Sequence, residues 1–250
     1  MLRHIKSALD VVSTVAVIAA AGALLWRMYN PPTPPGMRAP VETVKDLSLP
    51  ANSIRHVRGN GPVAIIAFSD YECPFCARHV QETGPAIKSK LLDAGVIREV
   101  YLNFPLPIHA KAQKAGEAAE CAAQQGRFWE MHEALFENSK ALEITDLAKH
   151  AERLGLDQAK FGNCLESGET AAAIQRDLAE GKRLAVSATP AFFIGLVRDD
   201  GTVDLRKRIN GALGFEDFEK VVTEVRPARR ASVPFEWWSP RPEFQRAAVR

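Results

Sequence analysis

Cys73 and Cys76 enclose Pro74-Phe75, so two thiols stand one helical turn apart if the segment is a helix. At that spacing the second sulfur can reach the first and close a small ring, which makes a disulfide that opens and closes. The thiolate is the reactive form of cysteine, and the free N–H groups and positive dipole end of a helix N-terminus favour it. Pro74 fits the first helical position, where no backbone donor is needed. A structural disulfide, a zinc half-site and two incidental thiols are the competing meanings of Cys-x-x-Cys. Zinc is the easiest to set aside, because a structural site takes four protein ligands and no second close Cys or Cys/His pair follows at matching spacing. No metal and no cofactor is expected.

The elements around the pair sharpen the reading. Pro62 introduces Val63 to Phe68, a short apolar run suited to a strand buried on both faces. Ser69 to Glu72 form its exit loop. From Pro74 to Asp93 apolar positions recur at helical spacing, with a kink expected at Gly84-Pro85. Val96 to Phe104 alternates as a second strand. Residues 109–185 are Ala-rich with helical periodicity and breaks near Gly126, Asn138, Gly155 and Gly168, which predicts an inserted subdomain of four or five short helices. The sheet resumes at Ala191 to Ile194, turns at Asp199-Asp200-Gly201, returns from Val203 to Ile209, and ends in a helix from Phe215 to Glu224. Thr189-Pro190 stands just before the third strand, far along the chain from the cysteines.

The run Phe68-Ser-Asp-Tyr-Glu-Cys-Pro-Phe-Cys76, continued by Cys121-Ala-Ala-Gln-Gln-Gly-Arg-Phe-Trp129, Met131-His132 and Thr189-Pro190-Ala-Phe-Phe-Ile-Gly195, resembles the DsbA-like branch of the thioredoxin superfamily, in particular its membrane-anchored bacterial members. The likeness covers roughly residues 62–224. It implies an α/β thioredoxin-like fold with a helical insertion, Cys73 as exposed attacking sulfur, Cys76 as resolving sulfur, and a cis Thr189-Pro190 bond whose preceding backbone holds an extended substrate. Ala188 departs from the pattern, where many relatives have glycine. Pro74 and Phe75 tune the redox poise. Phe75 cannot become a cation as the His of strongly oxidising relatives can, so a weaker oxidant is expected. The resemblance also implies exported Cys-containing protein substrates and a membrane reoxidant of the DsbB-like or VKOR-like kind.

Cys121 and Cys164 are read as a structural disulfide, since both would be exported and no other partners remain; two separate buried thiols are the alternative. Closing a loop of that size contributes roughly 4 kcal/mol in the chain-entropy model. His79, His109 and His132 receive no role, and Asp70 and Glu72 stay outside the catalytic set.

Arg3, His4 and Lys6 precede the uncharged run Val11 to Trp26, which directs the chain to a membrane. An uncleaved anchor over residues 1–29 is favoured, with the remainder on the periplasmic or extracytoplasmic side. The small-residue run Ala19 to Ala23 is the evidence for cleavage instead. Residues 30–45 read as a Pro-rich stand-off linker, 46–225 as the catalytic domain, and 226–250 as a basic, irregular tail with six arginines and Trp237-Trp238. A formal charge of +2 is too near balance for a nucleic-acid binder. Beside a disulfide donor, the sequence leaves open a reductase or isomerase of the same fold and a non-catalytic peptide-binding or chaperone module. Oligomeric state is not legible.

Overall fold

A computed structural model describes residues 41–226. The expected anchor, most of the linker and nearly all of the basic tail lie outside these residues. Among the described residues, no helix is long and apolar enough to cross a membrane.

Six strands form one sheet: β1 (Val41–Leu49), β2 (His56–Gly59), β3 (Val63–Ser69), β4 (Ile97–Asn103), β5 (Ala191–Val197) and β6 (Val203–Asn210), in the order β1-β6-β5-β3-β4-β2. β3 and β4 are parallel; every other pairing is antiparallel. A parallel neighbour needs a crossover, and the chain between β3 and β4 supplies it as α1 (Pro74–Arg78), a π-helical turn (His79–Thr83), α2 (Gly84–Ile87) and a second π turn (Lys88–Leu92). The first π turn answers the expected kink. Pro85 has no N–H to give, and just ahead of it Gly84 donates five residues back to His79.

Side-chain alternation sorts the sheet into two cores. Val63, Ile65, Ile97, Phe192 and Ile194 face Ile87 and Leu91 of the crossover together with Phe218, Val221 and Val222 of the last helix, α8 (Phe215–Val225). Ala64, Ile66, Phe68, Leu102 and Phe193 face the other way, toward Leu184 and Val186. Residues 112–183 make the insertion of five helices: α3 (Ala112–Ala123), α4 (Phe128–Glu137), α5 (Ile144–Arg153), α6 (Gln158–Ser167) and α7 (Ala171–Arg183). α7 comes so close to the sheet that a Cβ on Gly181 would meet the Phe104 ring at 2.5 Å.

Two features bolt the insertion down. Cys121 of α3 and Cys164 of α6 are joined by a disulfide, with Cα atoms 5.9 Å apart. The Arg55 guanidinium, just ahead of β2, reaches Glu120 at 3.2 Å and Asp177 at 2.9 Å, while His56 donates to Glu120 at 2.9 Å. Asp177 also accepts the Asn103 backbone N–H of β4 at 2.9 Å.

The domain begins earlier than expected. Residues 41–45, assigned to the linker, form the start of β1, which lies antiparallel against β6 along its edge. Its exposed, charged sequence masks the strand; a register shift between Thr43 and Leu47 contains Asp46 at φ +57°.

Candidate active site

β3 delivers the chain to the end of the sheet, and the loop from Asp70 to Cys73 turns it into α1. Cys73 is the N-cap residue in extended geometry, with Pro74 in the first turn. The Cys73 N–H is bound by the Asp70 carbonyl at 3.1 Å, and its own carbonyl accepts from Ala77 at 3.1 Å. The N–H groups of Phe75 and Cys76, which have no helical acceptor ahead of them, act on the Cys73 sulfur.

The cis Thr189-Pro190 peptide meets this loop from the opposite side. The Cys73 thiol donates to the Thr189 carbonyl at 3.4 Å. Cys73 is therefore only 3% exposed, contrary to the expectation of an exposed sulfur, because it is packed under the proline loop. Apolar surface stands out nearby instead: Phe75 is 54% exposed, and Ile108 is 82% exposed on the loop after β4.

The two thiols are strongly unequal. Cys73 is pulled down to about 5, chiefly by its hydrogen bond with the Cys76 thiol; burial opposes this, and Thr189 with the two helix-start N–H groups reinforces it. Burial pushes Cys76 well up, and the neighbouring Cys73 adds to the shift; Ser69 and the Asp70 N–H oppose it. Cys76 is fully buried. One sulfur is thus poised as thiolate and the other as thiol. On ionisation Cys73 can no longer donate to the Thr189 carbonyl. The Thr189 hydroxyl, buried and without a hydrogen-bond partner, also favours the ionised sulfur.

Asp70 emerges as the organiser of the loop, a place that sequence reasoning did not give it. Its fully buried carboxylate accepts the N–H of Glu72 at 2.8 Å, the N–H of Leu106 at 2.8 Å and His109 Nδ1 at 2.8 Å. Glu72 accepts the Lys111 N–H at 2.7 Å. The Asp70–Glu72 contact is a local Asx turn and could have been anticipated. The other three bridge 36 to 39 positions and leave no local signal.

The remaining histidines stay apart from this cluster. His79 is pushed down to about 3 by burial, against Phe192 and Phe218. Burial drives His132 well below its ordinary value, and its Nδ1 is hydrogen-bonded with the Tyr71 hydroxyl at 3.2 Å. Both border a cavity of about 420 Å³ whose wall also includes Ser69 and Tyr101. Among the described residues, no group of three or more His, Cys, Asp or Glu is placed to hold a metal ion.

A Cys-x-x-Cys pair at the start of the helix after a central strand, facing a cis-proline loop, defines a dithiol site on a thioredoxin-like fold. The sequence model of the family described as Thioredoxin matches residues 54–222, and the chain belongs to that family. Among solved structures, alpha-DsbA1 of Wolbachia pipientis is 23% identical, with a TM-score of 0.60 over 68% of this chain and 89% of that one. A thioredoxin-like oxidoreductase from Silicibacter pomeroyi is 29% identical, with a TM-score of 0.57 over 69% and 92%. BdbD from Bacillus subtilis, in its oxidised form, is 18% identical with a TM-score of 0.58 over 75% and 97%, and shares the fold. Two curated proteins, the Na(+)/H(+) antiporters NhaA 3 of Salinispora tropica and NhaA 1 of Salinispora arenicola, are each 36% identical over 211 residues, or 79% of this chain. The match spans only 32% of either antiporter, so their activity as whole proteins is not carried over.

Proposed function

We propose that the chain is an extracytoplasmic thiol–disulfide oxidoreductase that donates its Cys73–Cys76 disulfide to exported proteins containing cysteine. The observation that carries this is the placement of Cys73 as the N-cap residue of α1, its sulfur 3.4 Å from the Thr189 carbonyl of the cis-proline loop and Cys76 fully buried one turn further on, an arrangement that lowers the first thiol and raises the second. A substrate thiolate attacks the Cys73 sulfur, the Cys73–Cys76 bond breaks, and Cys76 leaves and takes a proton. A mixed disulfide now joins substrate and Cys73. A second substrate thiol loses its proton and attacks the substrate sulfur of that bond, expelling Cys73 as thiolate. The substrate has lost two electrons and the enzyme has gained them. Cys73 is a good leaving group because its anion is stabilised, and that same stabilisation of the reduced form makes the disulfide oxidising.

In this reading the Thr189-Pro190 loop offers backbone to an extended substrate, and Pro74 and Phe75 set the poise. The likeness to the thioredoxin-like oxidoreductase of Silicibacter pomeroyi supports such chemistry. The site would be held outside the cytoplasm by a membrane anchor over residues 1–29 and reoxidised by a DsbB-like or VKOR-like membrane protein. A reductase or isomerase uses the same groups from the opposite resting state. The deciding experiment replaces Cys76→Ala in full-length protein in cells and isolates mixed disulfides. Adducts of Cys73 with exported Cys-containing proteins support the reading, and their absence defeats it. Thiol trapping of the unaltered protein then separates a donor, resting oxidised, from a reductase, resting reduced.

A further inference from the structure

The motif lacks a cation, since Phe75 holds the place where a histidine would stand beside the reactive sulfur. The loop after β4 brings one in from elsewhere. His109 donates from Nδ1 to Asp70 at 2.8 Å, and its side chain is 16% exposed while the Asp70 carboxylate is fully buried. Asp70 touches both halves of the dithiol site through its backbone: its carbonyl holds the Cys73 N–H, and its own N–H acts on the Cys76 sulfur. The Cys73 charge also reaches His109 itself, and a buried carboxylate on the same loop as a thiolate is unfavourable unless its charge is matched.

We propose that His109 is a positioning residue for the redox reaction, whose positive charge neutralises Asp70 and so permits Cys73 to exist as a thiolate. The proposal rests on the oxidoreductase reading above. Because Nδ1 donates to Asp70 in both the neutral and the charged ring, protonation at Nε2 changes the charge of the pair and leaves its geometry alone. The pair is neutral when His109 is charged and carries one negative charge when it is not.

The surroundings favour the charged ring. Burial works against it, but the hydrogen bond and charge of Asp70, with the charges of Cys73 and Glu72, outweigh burial and raise the His109 pKa. Lys111, on the same loop, is engaged by Glu143 at 2.8 Å, Glu72 is held by the Lys111 N–H, burial keeps Tyr101 neutral, and Arg78 of α1 lies over the exposed Phe75 ring, 5.2 Å from its centroid.

The test titrates the Cys73 thiolate by its ultraviolet absorbance in the reduced protein, for the unaltered chain, His109→Gln, and His109→Gln with Asp70→Asn. Glutamine keeps a donor for Asp70 but no charge, so the single variant should raise the Cys73 pKa by about 0.5 to 1 unit. Its equilibrium with glutathione should shift roughly 3- to 10-fold toward the oxidised enzyme. Removing the carboxylate as well should return Cys73 to near its original titration, an effect that loss of a merely structural contact would not give. An unchanged Cys73 in the single variant, or a double variant no lower than the single, overturns the proposal, with circular dichroism confirming that both are folded. If Cys73 of the unaltered chain titrates like an ordinary cysteine, the oxidoreductase reading itself fails; a low value there with an insensitive His109→Gln defeats the charge pairing alone.

Discussion

The Cys73 sulfur lies 3.4 Å from the carbonyl oxygen of Thr189, a residue 116 positions further along the chain. The strand pairing of β3 with β5 creates this contact, since Phe68 sits opposite Ala191 and the loops at the same end of the two strands are thereby brought together. The reactive sulfur and the backbone proposed to hold a substrate are consequently fixed to one rigid sheet.

Alkylation of the reduced protein should show a single fast thiol. With Cys73 at about 5, its iodoacetamide rate should be nearly flat from pH 6 to pH 8 and fall only below about 5.5. A folded pKa below the unfolded one means that ionised Cys73 stabilises the reduced protein at neutral and higher pH, and that this contribution is lost as pH falls through about 5. A rate still rising steeply between pH 7 and pH 8 would refute the assignment.

Thr189→Val removes the hydroxyl while keeping the shape and the backbone carbonyl. The Cys73 pKa should rise by about 0.5 to 1 unit, and the fast alkylation at pH 6 should slow several-fold. The melting temperature should change little, because the buried hydroxyl has no other partner to lose.

Replacing both Cys121 and Cys164 with serine opens a link between residues 43 positions apart. The chain-entropy model gives a loss of about 4 kcal/mol, or roughly 10 °C in melting temperature. Calorimetry on the double variant checks it, and Cys73 alkylation at pH 7 should survive below the new transition.

Arg55→Ala leaves the buried Asp177 without its cation and should destabilise by about 3 kcal/mol in urea titrations at pH 7. Glu120 gives the same network a pH dependence. Burial alone would raise its pKa, but His56 and then Arg55 lower it, so its stabilisation is complete above the ordinary carboxylate range and disappears as pH falls. Asp177, raised by burial against Arg55, works in the opposite sense. Glu120→Gln should therefore lose less of its urea midpoint than the unaltered protein between pH 5 and pH 3; an equal loss would show that Glu120 is not a source of the acid sensitivity.

The parts of this fold with strong local patterns were legible. Val63 to Phe68 is apolar throughout because β3 is covered on both faces, and the Asp199-Asp200-Gly201 turn marks the hairpin between β5 and β6. Periodicity and breaks pointed to four or five helices in the insertion, and five form. The edge strands were not. β1 carries Glu42, Lys45 and Asp46 on a largely exposed edge, and β2 has only four residues, whose His56 is buried by its pairing with Glu120 from 64 positions away. The site divides in the same way. A Cys-x-x-Cys between strand and helix announces itself, whereas His109 acquires its meaning only when folding places it on Asp70.

The sulfurs belong to one apolar cluster with Tyr71 and with Phe136 of α4, which continues to Leu147 and Phe161, so α4 walls the redox pair and α5 and α6 back that wall. The insertion is therefore no removable ornament on a smaller catalyst. Paring the protein down to its sheet and flanking helices would open that chamber to water, and any attempt to retune the chemistry can begin as well from the insertion as from the motif.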